Sequence, residues 1–289
     1  MALNRSAGRR RFAAGAVAVI LLAGACSSQP ATKPGTPASS SAAGNTPEWP
    51  GAMAALGHSG LTGYQSDGGL FDVPANSWAT GTDPAVDSMY LRILAANPAI
   101  EGNAQNFAVD GADVSELAFQ ASRVADMNPK PDLILIQSID GDMQCDSGDD
   151  ANLPVYRDKL TKVLDTLTTI APDADILFVS QPADVQEYSD TVLAVDPTHI
   201  AGTGPRDVVD PATRQLVPSK VDGLQALVDE YFDAIGQVCA RYPRCRTDNG
   251  AMQSMDLDPG DLTRDLNHLT VTGLAKMAAI EWSVLYPGR

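Results

Sequence analysis

Three residues in two widely separated stretches could together carry out nucleophilic chemistry. The run Ala55-Leu56-Gly57-His58-Ser59-Gly60-Leu61-Thr62-Gly63 leads from an apolar approach into a small-residue turn with one serine at its tip. Glycines permit the sharp backbone that exposes a nucleophile where a strand ends. Far along the chain, Asp265-Leu266-Asn267-His268 sets a carboxylate three residues before a histidine, so one tight loop can present both. A serine attacks an ester only when a base takes its proton, and a carboxylate orients that base. Of the 3 histidines, His58 adjoins Ser59 and its side chain leaves the turn in another direction. His199 lies in a long polar stretch that suits a solvated role. Taken alone, Ser59 also reads as a turn serine and Asp265 to His268 as a helix-capping loop.

The elements around these stretches decide between the readings. Met53 to Leu56 reads as a short buried strand, Asn106 to Val109 as a second strand running into Gly111, and Leu133 to Ile136 and Asp175 to Val179 as continuous apolar strands. Such runs suit strands covered on both faces of a parallel sheet. Helical spacing marks Ala85 to Ala96, Val114 to Val124 with Ser115 or Asp113 near its cap, Tyr156 to Ile170, Lys220 to Cys239 and Val271 to Leu285. Val185 to Val217 is polar and Pro-rich, longer than an ordinary connection, and reads as a lid or substrate loop. Alternating strands and helices predict an α/β fold, a three-layer sandwich with a mostly parallel, doubly wound sheet. Ligands of such sheets sit at the carboxyl ends of the strands. Ser59, Gly111, Asp140-Gly141-Asp142 and the Asp265 to His268 loop all follow apolar runs or precede the last helix.

Residues 1–25 carry four arginines and no acid, and Phe12 to Ala25 is an apolar run too short to span a membrane as a mature helix. This is a secretory leader, and Arg9-Arg10-Arg11-Phe12 leaves a twin-arginine route open. Ala23-Gly24-Ala25-Cys26 reads as a lipobox that leaves Cys26 lipidated at the outer face of the cell membrane. An ordinary cleavage after Ala25, releasing a secreted soluble protein, is the alternative. Residues 26–48 form a Ser/Pro/Thr/Gly tether that cannot bury enough surface to fold, and one domain covers 49–289. The formal charge of −16 repels phosphate backbones, which excludes nucleic acid as a partner. Of the 4 cysteines, Cys239 and Cys245 form the natural local pair, and Cys145 is left over. No cysteine spacing suits a metal, and the acidic run Asp140, Asp142, Asp146, Asp149, Asp150 reads as a solvated loop rather than a calcium site.

The order of these motifs resembles that of SGNH hydrolases, the GDSL-like lipase/esterase family: an early Gly-x-Ser, a post-strand Asn106 and Gly111, a third-strand Asp/Gly turn and a late Asp-x-x-His. The resemblance covers residues 50–289. Asn76-Ser77-Trp78-Ala79-Thr80-Gly81-Thr82 is similar to actinobacterial members. It implies the SGNH, flavodoxin-like fold, no cofactor, and a lipid, glycan or small-molecule ester as substrate. It further implies Ser59 as nucleophile, His268 as general base and then acid, and Asp265 as its orienting carboxylate. The backbone N–H groups of Ser59 and Gly111 would form the oxyanion hole, and Asn106 would shape the loop. Two positions depart from the pattern. His58 replaces the family's aspartate and is read as facing solvent, substitute hydrogen bonds being the alternative. Gly141 stands where an asparagine supplies the third oxyanion donor, with Gly141 and Asp142 its candidate neighbours or substitutes. A slow esterase is expected, and a degenerate surface protein binding a glycan or acyl ligand is the second reading.

Overall fold

A computed structural model describes residues 49–143, 148–199 and 208–289. The leader, the tether, Cys26 and Cys145 lie outside them. Five strands form one sheet: β1 (Met53–Gly57), β2 (Ala104–Asn106), β3 (Leu133–Gln137), β4 (Asp175–Val179) and β5 (Cys245–Thr247). The order is β2-β1-β3-β4-β5 and every pairing is parallel, so the sheet is wholly rather than mostly parallel. The chain winds from β1 outward to β2 and then crosses back to β3. The reversal therefore falls beside the carboxyl end of β1, the switch point where ligands of such sheets bind. Ser59 stands two residues beyond that end.

Side chains alternate across the strands and divide the core. Ala54, Leu56, Ile134, Ile136, Ile176 and Phe178 face one layer, built by α2 (Val114–Arg123), α3 (Asp149–Ile170) and α5 (Pro218–Cys239). Met53, Ala55, Leu133, Leu135, Leu177 and Val179 face the other, built mainly by α1 (Met89–Ala96) and α6 (Val271–Leu285). Each central strand is therefore buried on both faces, which is why it reads as an unbroken apolar run. Gly57, Gln137 and Val179 stand in register, so three loops leave the sheet at one level.

Several boundaries differ from the expectation. The second strand ends at Asn106 because the Asn106 side chain accepts the Ala108 N–H and turns the backbone out of the sheet. The first helix starts at Met89, where the Ser88 hydroxyl accepts the Leu91 N–H. Asp113, rather than Ser115, caps α2, accepting from the N–H groups of Ser115 and Glu116. The third helix starts earlier, at Asp149, with Pro154 inside its first turns. The stretch read as a loop from Val185 contains α4 (Val185–Val195), whose Asp184 cap holds the Glu187 N–H. The three-residue β5 was not expected. A disulfide joins Cys239 at the end of α5 to Cys245 at the start of β5, as the spacing predicts. Among the described residues no helix is long and apolar enough to cross a membrane.

Candidate active site

Gly57 closes β1 with φ +146, and a Cβ there would meet the Gln137 carbonyl at 2.0 Å, so this close approach to β3 requires glycine. The chain then folds into a 3-10 turn from Ser59 to Leu61. His58 caps it: its Nδ1 accepts the Gly60 N–H at 3.2 Å. The sequence reading placed His58 in solvent, whereas its side chain is buried beneath the turn it caps. Burial pushes its pKa down, Asp140 opposes this and His268 adds to it. A neutral ring with Nδ1 accepting carries its proton on Nε2. That Nε2 is buried without a hydrogen-bond partner among the described residues, and His58 is part of the wall of the Ser59 cavity. His58 thus makes a hydrogen bond that caps the turn rather than facing solvent, the alternative that its sequence left open.

The base comes from a loop drawn tight by its own hydrogen bonds. Leu262 and Leu269 form an antiparallel bridge, the Thr263 N–H donates to the His268 carbonyl at 2.9 Å, and Leu266 turns at φ +57. Behind it, Lys276 of α6 ion-pairs with Asp258 at 2.8 Å and with buried Asp261 at 2.6 Å. Asp265 Oδ2 meets His268 Nδ1 at 2.8 Å, and His268 Nε2 meets Ser59 Oγ at 2.8 Å. Asp265 Oδ1 accepts from the Thr263 hydroxyl at 2.6 Å and from the N–H groups of Asn267 at 3.0 Å and His268 at 3.1 Å. Burial pushes the Asp265 carboxyl up, but these bonds and the His268 ring outweigh it, and the net shift is downward. An ionised Asp265 holds the proton on Nδ1, which leaves Nε2 free to accept the Ser59 hydroxyl proton. The Tyr64 ring packs over His268 with centroids 4.7 Å apart.

The remaining predicted residues take distinct places. Gly111 has φ +69 in a loop held to the serine turn by the Val109 N–H on the Gly57 carbonyl at 3.1 Å and by Asp110, which accepts from Thr62 Oγ1 at 3.0 Å. Asn106 donates to the Leu61 carbonyl at 2.8 Å, so it shapes this junction. Gly141 and Asp142 do not line the Ser59 cavity. They line a second, polar cavity of about 230 Å³ with Tyr156 and Lys159. A Cβ on Gly141 would meet the Ala112 carbonyl at 2.5 Å, so glycine serves the packing of two loops. Asp142 accepts the Val114 N–H at the start of α2, and burial pushes its pKa up to about 6. Asp140 and Met143, on either side of Gly141 and Asp142, are the residues of that turn that line the Ser59 cavity. Just before Asp140, Ile139 takes φ +90, sparsely populated for a β-branched residue. Of the acidic run read as solvated, Asp149 is buried and Asp140 and Asp142 are half-buried.

Sequence reasoning missed Thr263, Tyr64 and Gln120 as parts of the site. Thr263 was legible in principle, since Thr-x-Asp is a common side-chain-to-backbone turn. Tyr64 and Gln120 carry no local signal. Among the described residues, no group of three His, Cys, Asp or Glu side chains could hold a metal ion.

Fold and site together define the class: a wholly parallel, doubly wound α/β chain, with the fold of GDSL-like lipases, that carries a Ser-His-Asp relay at its switch point. Among solved structures it is similar to a protein from Parabacteroides merdae ATCC 43184 assigned as a GDSL-like lipase, with a TM-score of 0.51 and 13% identity over 81% of this chain and 94% of that one. It is also similar to an extracellular lipase from Streptomyces rimosus, with a TM-score of 0.48 and 16% identity over 81% of this chain and 99% of the other. A third is phospholipase A1 from Streptomyces albidoflavus NA297, with a TM-score of 0.47 and 15% identity over 80% and 98% of the two chains. No protein-family model and no curated protein matches the sequence.

Proposed function

We propose that the chain is an exported serine esterase, anchored by lipid on Cys26, that hydrolyses a carboxylic ester through an acyl-enzyme. The observation that carries this is the continuous relay from Asp265 through His268 to Ser59, with both links at 2.8 Å. Ser59 Oγ attacks the ester carbonyl carbon while His268 Nε2 takes its proton. The oxyanion receives the backbone N–H groups of Ser59 and Gly111, donors fixed before charge develops. As the tetrahedral species collapses, His268 returns the proton to the departing alkoxide and leaves an acyl group on Ser59. A water molecule, deprotonated by His268, then attacks the acyl carbonyl, and the acid is released with Ser59 restored.

Asp140, lining the cavity beside Ser59, favours the non-catalytic alternative, because a carboxylate repels a developing oxyanion. A missing third donor costs roughly 10²–10³ in rate, which makes the enzyme slow rather than inert. A fluorophosphonate probe tests the proposal. Wild type should be labelled and Ser59→Ala should not, and equal labelling of the two decides for a binding protein. The anchor is tested separately in cells, where globomycin should cause the Cys26 precursor to accumulate.

A further inference from the structure

The cavity that opens at Ser59 and His268 has a volume of about 320 Å³, and most of its wall beyond the polar relay is apolar. Its far wall comes from three places: Val192 and Leu193 on α4, Val209 in the bridge to Leu216, and Leu224 and Val228 on α5. Ligand pockets start near about 300 Å³, so this space exceeds what an acetyl group fills. None of these five side chains carries a polar group, while Gln181, Asp184, Ser189 and His199 line other parts of the same cavity.

Resting on the esterase reading above, we propose that this chamber holds the acyl chain of the substrate, and that the enzyme selects esters of medium or longer fatty acids over acetyl esters. The acyl group stays on Ser59 after the alcohol has left, so it belongs against the apolar wall. The alcohol must depart past His268 before water enters, which suits the open rim, where the Asp265 and His268 side chains retain 28% and 14% of their surface. The loop carrying Gly111 stands on the β2 side of Ser59 and contributes nothing to the cavity wall, so a carbonyl oxygen turned toward Gly111 directs the acyl substituent the other way. Each buried methylene contributes roughly a fourfold gain when the chain is fully withdrawn from water.

The test measures kcat/KM for p-nitrophenyl esters from acetate to dodecanoate and, in parallel, for acetates of alcohols of the same lengths. On the acyl series the value should rise on the order of 10³-fold between acetate and octanoate for a fully buried chain, while the alkyl acetates stay nearly flat. Leu224→Trp should reduce the octanoate-to-acetate ratio to within about threefold, from the same loss of buried methylenes. Binding of cis-parinaric acid to full-length Ser59→Ala gives a readout independent of turnover, and it should be competed by dodecanoate and weakened by adding Leu224→Trp. A flat or falling acyl series overturns the proposal, as does length dependence confined to the alkyl acetates. Hydrolysis of acetates with no fatty-acid binding by Ser59→Ala overturns the chamber and leaves the esterase standing. Fatty-acid binding with no hydrolysis of any ester overturns the esterase and leaves the chamber standing.

Discussion

Gln120 of α2 holds both backbone groups of Gly57: its Oε1 accepts the Gly57 N–H at 2.7 Å and its Nε2 donates to the Gly57 carbonyl at 2.9 Å. The strand thus ends on a helix side chain 63 residues away, two positions before the nucleophile. The fit is buried and leaves the amide of Gln120 with one orientation that satisfies both groups.

Gln120→Ala should therefore act twice. It leaves the Gly57 N–H buried without its acceptor, at a cost of about 1–3 kcal/mol in stability. It also loosens the turn that aims Ser59, and misplacement of reacting groups by about 1 Å can cost 10²-fold in rate. A melting temperature several degrees lower, with kcat reduced more than KM is raised, is the expected pair of results. Unchanged kcat in a folded variant would remove Gln120 from the positioning role.

Asp265→Asn should keep the fold and lose most of the activity. The amide reverses the preference at His268 Nδ1, which turns the ring's acceptor away from Ser59. In the serine-protease triad this change costs about 10⁴ in kcat. Thr263→Val should be milder and pH-dependent. Thr263 helps hold the Asp265 carboxyl low, so its loss raises the folded pKa toward the unfolded one. The contribution of Asp265 to stability is present above the unfolded carboxylate range and lost as pH falls through the folded pKa. The variant should lose activity and stability at a higher pH on the acid side than wild type, measured as parallel pH profiles.

Glu281 is wholly buried on α6, with the buried carboxyl of Asp248 beside it. Burial and the neighbouring Asp248 push it up to about 9 from the ordinary 4.5. Between those values the folded state holds a proton that the unfolded chain has lost. Stability is then full below about pH 4.5 and declines as pH rises toward 9, by at most about 1.4 kcal/mol per pH unit. Glu281→Gln should flatten this slope, and melting curves from pH 5 to 8 should show the variant gaining on wild type throughout. Parallel curves would contradict the assignment.

The disulfide closes a short loop. Replacing Cys239 and Cys245 together by serine should lower stability by about 2 kcal/mol, from the loop-entropy relation. For a domain of this size that is about 4–8 °C in melting temperature. Reductant should produce the same loss in wild type and none in the double variant.

What the sequence disclosed follows the strength of its local signals. Leu133 to Ile136 and Asp175 to Val179 are legible because a strand covered by helices on both sides leaves no polar position to blur the run. Asp265 and His268 are legible because acid and base lie in one turn, and Ser59 because its glycines mark a sharp bend. The α4 helix is not, since Gln186, Glu187, Ser189 and Asp190 interrupt its apolar positions and a Pro-rich stretch follows. The Cys-Arg-Thr of β5 is an edge strand too short to show a period. The place of Asp140 was hidden for a different reason. Counting along the motif puts Gly141 at the site, whereas Asp140 lines the Ser59 cavity and Gly141 the other one, and no composition or spacing announces the positive φ of Ile139 that precedes them.

The bond between Ser59 and His268 spans 209 positions of sequence. Synthesis therefore delivers the second partner long after the first, and the tight loop that aims it leans on α6. The hydroxyl of Ser59 waits for its partner until residues 265–268 have been made, and the same α6 that braces that loop closes one face of the sheet.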